Sequence, residues 1–164
     1  FAAFMIGSIL SQAAWVMFSS KLTKLGALVL GLSLYILLLG ALFLIFPSTD
    51  VTMMAGMFIL AGMANGSYQQ IPWAMYPDLM DRTRNETGEA IEGTFSAIWL
   101  FGQKVANALA PLALSLILGF YDWKETSKGK VEQTAEAIQA LQFSVTLIPA
   151  AVLMLAIVVQ VSIY

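Results

Sequence analysis

The chain has 164 residues, 59% of them hydrophobic and 11% charged, where a soluble globular domain carries about 25% charged residues. A mean hydropathy of +0.80, a net charge of −2 and a pI near 4.9 argue against a soluble class and against nucleic acid, which needs a basic patch. There is no Cys and no His, which excludes disulfides, thiolate chemistry and His-based metal or acid–base sites within this stretch.

The few charges cluster at 21–24, 78–92 and 122–136. Long apolar stretches separated by short polar turns are how bilayer solvation writes a sequence. The fold class expected is all-α, a polytopic protein of about five transmembrane helices, integral and multi-pass, with the lipid bilayer as its surroundings. A span needs about 20 apolar residues at about 1.5 Å each. The expected spans are 1–18, 26–46, 51–79, 94–120 and 143–164. The chain opens on Phe1-Ala2-Ala3-Phe4 and closes on Val161-Ser162-Ile163-Tyr164, both inside apolar runs. Both ends are therefore expected to be cut. The first segment has no basic leader and no A-x-A-like site, so it does not read as a secretory signal.

In the first span Gln12 and Ser8 share a face, which reads as helix contact or, less simply, as cavity lining. The connection Ser19–Gly26 is short and basic. After the second span, Pro47-Ser48-Thr49-Asp50 forces a tight antiparallel hairpin. The third span carries Asn65-Gly66-Ser67-Tyr68-Gln69-Gln70-Ile71-Pro72-Trp73. Amides beside aromatic rings suit a neutral polyhydroxylated solute; inter-helix hydrogen bonding is the competing reading. Pro72 cannot donate to the Tyr68 carbonyl, so a kink is expected there. Gly62 and Gly66 have the small-x-x-x-small spacing that lets helices approach closely. Pro72 and Gly66 are the hinge candidates.

The charged connection from Met80 to Glu92 follows. Asp78, Asp81 and Arg82 share one helix face, with Asp78 and Arg82 spaced for an i,i+4 ion pair. A gate at the membrane edge and a solvated salt bridge both fit. In the fourth span Lys104 stands ten residues in, about 15 Å along the helix. A charge at that depth costs roughly 2.5–3.5 kcal/mol, so it implies a partner or a water-filled cavity. Asn107 lies one turn on, on the same face. The competing reading pairs Lys104 with a buried carboxylate simply to hold helices together, and no Asp or Glu stands at matching depth in these spans. The connection from Tyr121 leads into an amphipathic stretch from about 131, read as an interfacial helix entering the fifth span. Tyr121, Trp123 and Tyr164 fit an aromatic belt. Lys21, Lys24, Arg82 and Arg84 on one side, against Lys124, Lys128 and Lys130 on the other, give a small bias that puts the first and third connections in the cytoplasm. No phosphate-cradling loop, nucleophile motif or metal cluster appears, so the protein reads as no enzyme and no metal site is expected.

The stretch Pro72-Trp73-Ala74-Met75-Tyr76-Pro77-Asp78-Leu79-Met80-Asp81, then Thr87-Gly88-Glu89-Ala90-Ile91-Glu92-Gly93, resembles the Pro-x-x-Met-x-x-Asp-x-x-Asp and Thr-Gly…Glu-Gly pattern of the glycoside–pentoside–hexuronide:cation symporters. That family is the melibiose-permease-like branch of the major facilitator superfamily. Lys104, twelve residues past Glu92, is similar to the lysine of the family's eleventh helix. The resemblance covers most of the chain and is closest over 68–143. It implies that the whole chain, 1–164, is part of a C-terminal six-helix half, its spans being helices eight to twelve. It further implies cation-coupled symport of a sugar or glycoside by alternating access, in the cell (inner) membrane. The coupling cation, Na⁺ or H⁺, would be bound by carboxylates of the N-terminal half, itself a partner of this piece. By the same resemblance Lys104, Asn107, Tyr68, Gln69, Gln70 and Trp73 would serve solute binding and coupling, and Asp78, Asp81, Arg82 and Glu92 a cytoplasmic gate. One departure stands out. Glu89, Ala90 and Ile91 occupy the places of the family's basic residues, and Arg82 and Arg84 are the candidates to replace them. The alternatives are a lipid or lysolipid carrier on the same fold, or a non-transporting membrane subunit.

Overall fold

A computed structural model describes residues 2–46, 50–124 and 131–163. The described residues form six helices: α1 (Ala2–Lys21), α2 (Lys24–Ile45), α3 (Val51–Thr87), α4 (Glu92–Phe120), α5 (Ala135–Val145) and α6 (Leu147–Ile163). No strand occurs among them, so the fold class is all-α. The turn residues Pro47, Ser48 and Thr49, and Lys128 and Lys130 of the fourth connection, lie outside the described residues.

The helix ends follow from side-chain chemistry. Thr23 caps α2 by accepting from the Gly26 N–H at 3.0 Å, and Asp50 accepts from the N–H groups of Thr52 and Met53 at 2.9 and 3.1 Å. These are the orphan donors of a helix start. Gly88, at φ +73, ends α3, its N–H bonded to the Arg84 carbonyl at 2.8 Å, the left-handed stop that glycine enters without Cβ strain.

Two boundaries differ from expectation. The charged connection expected from Met80 is helical as far as Thr87, because Gly88 is the first residue that breaks it; the true connection is 88–91. The lead-in and the fifth span form two helices parted at Thr146. Pro149 explains the break, since it has no N–H for the Val145 carbonyl and its ring crowds that oxygen.

Among the described residues four segments are long and apolar enough to cross a membrane: α1, α2, α4 and Ala135–Ser162. The third expected span lies inside α3, which is 37 residues long but diluted by the Asn65–Gln70 run and by the charges after Pro77.

Contacts divide the chain into two units. The first holds 1–76 and 145–164, the second 77–144. In the first, Trp15, Ala27, Leu28, Leu32 and Ile71 form the core, with Met75, Leu153 and Ile157 packed on it. Lipid is as apolar as leucine, so association here depends on close fit rather than water release. The glycines provide that fit between α1 and α3. A Cβ on Gly7 would meet the Ile59 carbonyl, and one on Gly62 the Phe4 carbonyl. In the second unit, α4 has no buried residue. The base of the connection after it is closed by Gln133, whose amide donates to the Lys124 carbonyl at 2.8 Å and accepts from its N–H at 3.0 Å.

Candidate functional site

The polar run of α3 separates into two groups by what each side chain touches. Asn65 donates to Ser8 Oγ at 3.4 Å, Ser11 Oγ donates to the Ser8 carbonyl at 3.1 Å, and Ser67 Oγ donates to the Ala64 carbonyl at 2.9 Å. The Trp15 indole donates to the Met63 carbonyl at 2.7 Å. Gly66 lies against Ser11 and Trp15. Asn65, Ser8, Ser11, Trp15 and Gly66 lie where α1 meets α3, while Ser67 lies against Gly31 of α2. Gln12 is exposed.

One turn further along α3 the pattern changes. Gln69 is exposed, and Tyr68 and Trp73 are 56% and 51% exposed. Gln69 and Trp73, four apart, share a face. Gln70 is half-buried, and its Oε1 is buried with no hydrogen-bond partner among the described residues. A buried carbonyl left unpaired costs about 1–3 kcal/mol, a cost recovered when a donor arrives. Pro72 sits within this segment and Pro77 one turn beyond; neither has an N–H, so the Tyr68 and Trp73 carbonyls lose their helical donors. A short length of α3 thus presents two amide side chains and two aromatic rings beside two prolines that interrupt its helical hydrogen bonds.

The remaining predicted residues lie in the second unit. Lys104 and Asn107 are exposed on α4. Pro111, unremarked in the sequence reading, stands four residues after Asn107 and cannot donate to its carbonyl. Asp78 and Asp81 are exposed. Arg82 Nε donates to Glu86 Oε1 at 2.9 Å, an i,i+4 pair with a carboxylate that the sequence reading passed over although its spacing was readable. Arg84 Nη1 donates to Glu92 Oε1 at 3.2 Å, joining the end of α3 to the start of α4. Glu92 therefore has a basic partner despite the acidic and apolar residues at 89–91.

Two other features were missed. Gln160 Oε1 on α6 is also buried without a partner among the described residues, and an amide inside an apolar run is a visible signal. Lys24 Nζ donates to the Ala74 carbonyl at 2.9 Å, which no spacing rule announces. A cavity of about 70 Å³ lies among Phe4, Tyr35, Leu39, Leu42 and Phe58. It is far below the roughly 300–1,000 Å³ of small-molecule sites, so it is no solute chamber. Among the described residues no three Asp or Glu side chains converge as metal ligands.

Residues 1–163 match the family described as MFS/sugar transport protein. The chain is 31% identical over 113 residues to an uncharacterized symporter of Synechocystis sp.. That match covers 68% of this chain and 21% of the symporter, so the chain spans about a fifth of that relative's length. No solved structure matches the chain.

Proposed function

We propose, from the premise that this chain belongs to the MFS/sugar transport protein family, that it is part of a cation-coupled symporter for a sugar or glycoside. As a member it is an integral, multi-pass membrane protein and a transporter rather than an enzyme. The finer reading is the melibiose-permease-like branch, in the cell membrane. The observation that carries the solute assignment is Gln70, with a buried acceptor that lacks a protein donor, on the same stretch as Gln69, Tyr68 and Trp73. A sugar hydroxyl supplies that donor, and aromatic rings pack on the C–H faces of a pyranose.

In this reading the solute sits near the midplane between two six-helix halves, and rocking of the halves alternates access. Lys104 and Asn107 link the solute or cation network to α4. The cation, Na⁺ or H⁺, is held by carboxylates of the N-terminal half, outside this chain. The Arg84–Glu92 pair supports the symporter over the lipid carrier, because it replaces the basic partner that residues 89–91 do not provide. Asp78, Asp81 and Arg82 complete the cytoplasmic gate, which must open and reseal in each cycle.

Ligand-induced stabilisation of the purified full-length protein tests the solute class. A ligand that binds only the folded state raises Tm. We expect particular glycosides to raise it in a saturable way. A rise with lysolipids and with no sugar would establish the lipid carrier instead.

A further inference from the structure

We infer that Lys24 is a positioning residue for the solute face of α3: its ammonium group fixes the turn that carries Trp73 by binding the main chain, without touching the solute. The inference rests on the assignment of Gln69, Gln70 and Trp73 to that face.

Lys24 Nζ donates to the Ala74 carbonyl at 2.9 Å, across 50 residues of sequence. Lys24 is the first residue of α2, where a cation opposes the helix dipole. Thr23 fixes the backbone at this point through its cap on Gly26, and the Ala27 N–H is bonded to the Thr23 carbonyl at 2.9 Å. One turn further, Leu28 is 2% exposed and packs with Ile71. The first two turns of α2 thus grip α3 at two adjoining points, through apolar contact at Ile71 and through an ammonium–carbonyl bond at Ala74.

The prolines explain why that turn gains from a bond made from outside the helix. Pro77 has no N–H for the Trp73 carbonyl, and Pro72 has none for that of Tyr68. The turn between them is short of its own hydrogen bonds where the solute side chains must be held to within about 0.5 Å. A helix weakened at two successive turns is free to bend. The Ala74 carbonyl has two lone pairs and can accept from lysine beside its helical donor. A charge-assisted bond is about twice as strong as a neutral one, and it restrains the backbone one residue from Trp73 and one turn from Gln70.

The test uses the full-length protein in proteoliposomes, with Lys24→Met and Lys24→Arg, and Lys24→Gln where the Met variant does not fold. Loss of one charge-assisted hydrogen bond predicts a rise in KM of about tenfold with Vmax within about twofold. Lys24→Arg, whose guanidinium also donates to a carbonyl, restores KM. A merely structural lysine would lower the amount of folded protein and leave KM unmoved. The second measurement needs no solute: the rate at which a thiol reagent modifies a cysteine placed at Trp73 (Trp73→Cys), with and without Lys24→Met. A several-fold change, reversed by Lys24→Arg, is expected. An unchanged modification rate overturns the positioning role whatever the solute proves to be. An unchanged KM in a protein that does transport sugar overturns it as well. If the parent protein takes up no sugar, the solute assignment fails and the modification rate alone decides the role of Lys24.

Discussion

Gln70 and Lys104 are the residues on which the functional account depends, and they differ in kind. Gln70 carries an acceptor that the described protein leaves unpaired. Replacing it with leucine removes a buried polar group along with its need for a donor. Gln70→Leu should therefore weaken solute binding by about tenfold or more, since a charge-neutral hydrogen bond and its desolvated partner are lost. It should leave the Tm of the solute-free protein unchanged or raise it; isothermal titration with thermal denaturation separates the two effects. A fall in both together would make Gln70 a packing residue. Lys104 is exposed on α4, as its place on a helix without buried residues requires. Both residues were legible in the sequence, because a polar group inside an apolar run is costly enough to demand a reason. The partner of Lys24 was not. A lysine in a short basic connection looks like any solvated charge, and only the fold brings it to the Ala74 carbonyl.

At the scale of elements, most of the helices were readable from apolar runs and turn chemistry, and the departures occur at glycine and proline. α3 runs on to Thr87 because charged residues do not by themselves end a helix, whereas Gly88 at φ +73 does. The fifth expected span is divided because Pro149 deprives Val145 of its donor. The α1–α3 contact is partly visible in the Gly62–Gly66 spacing and in Ser8, whereas Gly7 and Ser11 become apparent only in the fold. Gly62→Val should separate these helices, since the added Cβ collides with the Phe4 backbone carbonyl. Overpacking of this kind costs typically 1–3 kcal/mol. A lower Tm of the full-length protein in detergent is the expected reading; an unchanged Tm would mean that α1 and α3 are not held at that point. The Arg84–Glu92 pair joins α3 to α4 with side chains 62% and 43% exposed, so about 0.2–1 kcal/mol is the most it contributes to stability. Its expected effect is on the gate. Arg84→Glu should impair transport while leaving Tm within about 4 °C, and Arg84→Glu with Glu92→Arg should recover part of the loss in an uptake assay. No recovery would remove this pair from the gate.

The whole molecule joins an apolar helical frame to a small set of polar groups placed where lipid cannot satisfy them. Frame and class were legible from composition alone, since 59% hydrophobic residues and clustered charges leave few other folds. The order and spacing of the motifs from Pro72 to Gly93 narrowed the class to a sugar-transport family, and residues 1–163 match that family. The solute and the ion were not legible: amides accept from the hydroxyls of many different sugars, and the proposed cation site is placed outside this chain. The most direct test is uptake of a sugar panel into proteoliposomes holding the full-length protein, with and without an imposed Na⁺ or H⁺ gradient, beside Lys104→Ala. The account predicts accumulation of a sugar or glycoside driven by one of the two gradients and lost in Lys104→Ala. Equal, ungraded uptake in both proteins, or no gradient-driven uptake of any sugar by the folded protein, would contradict it.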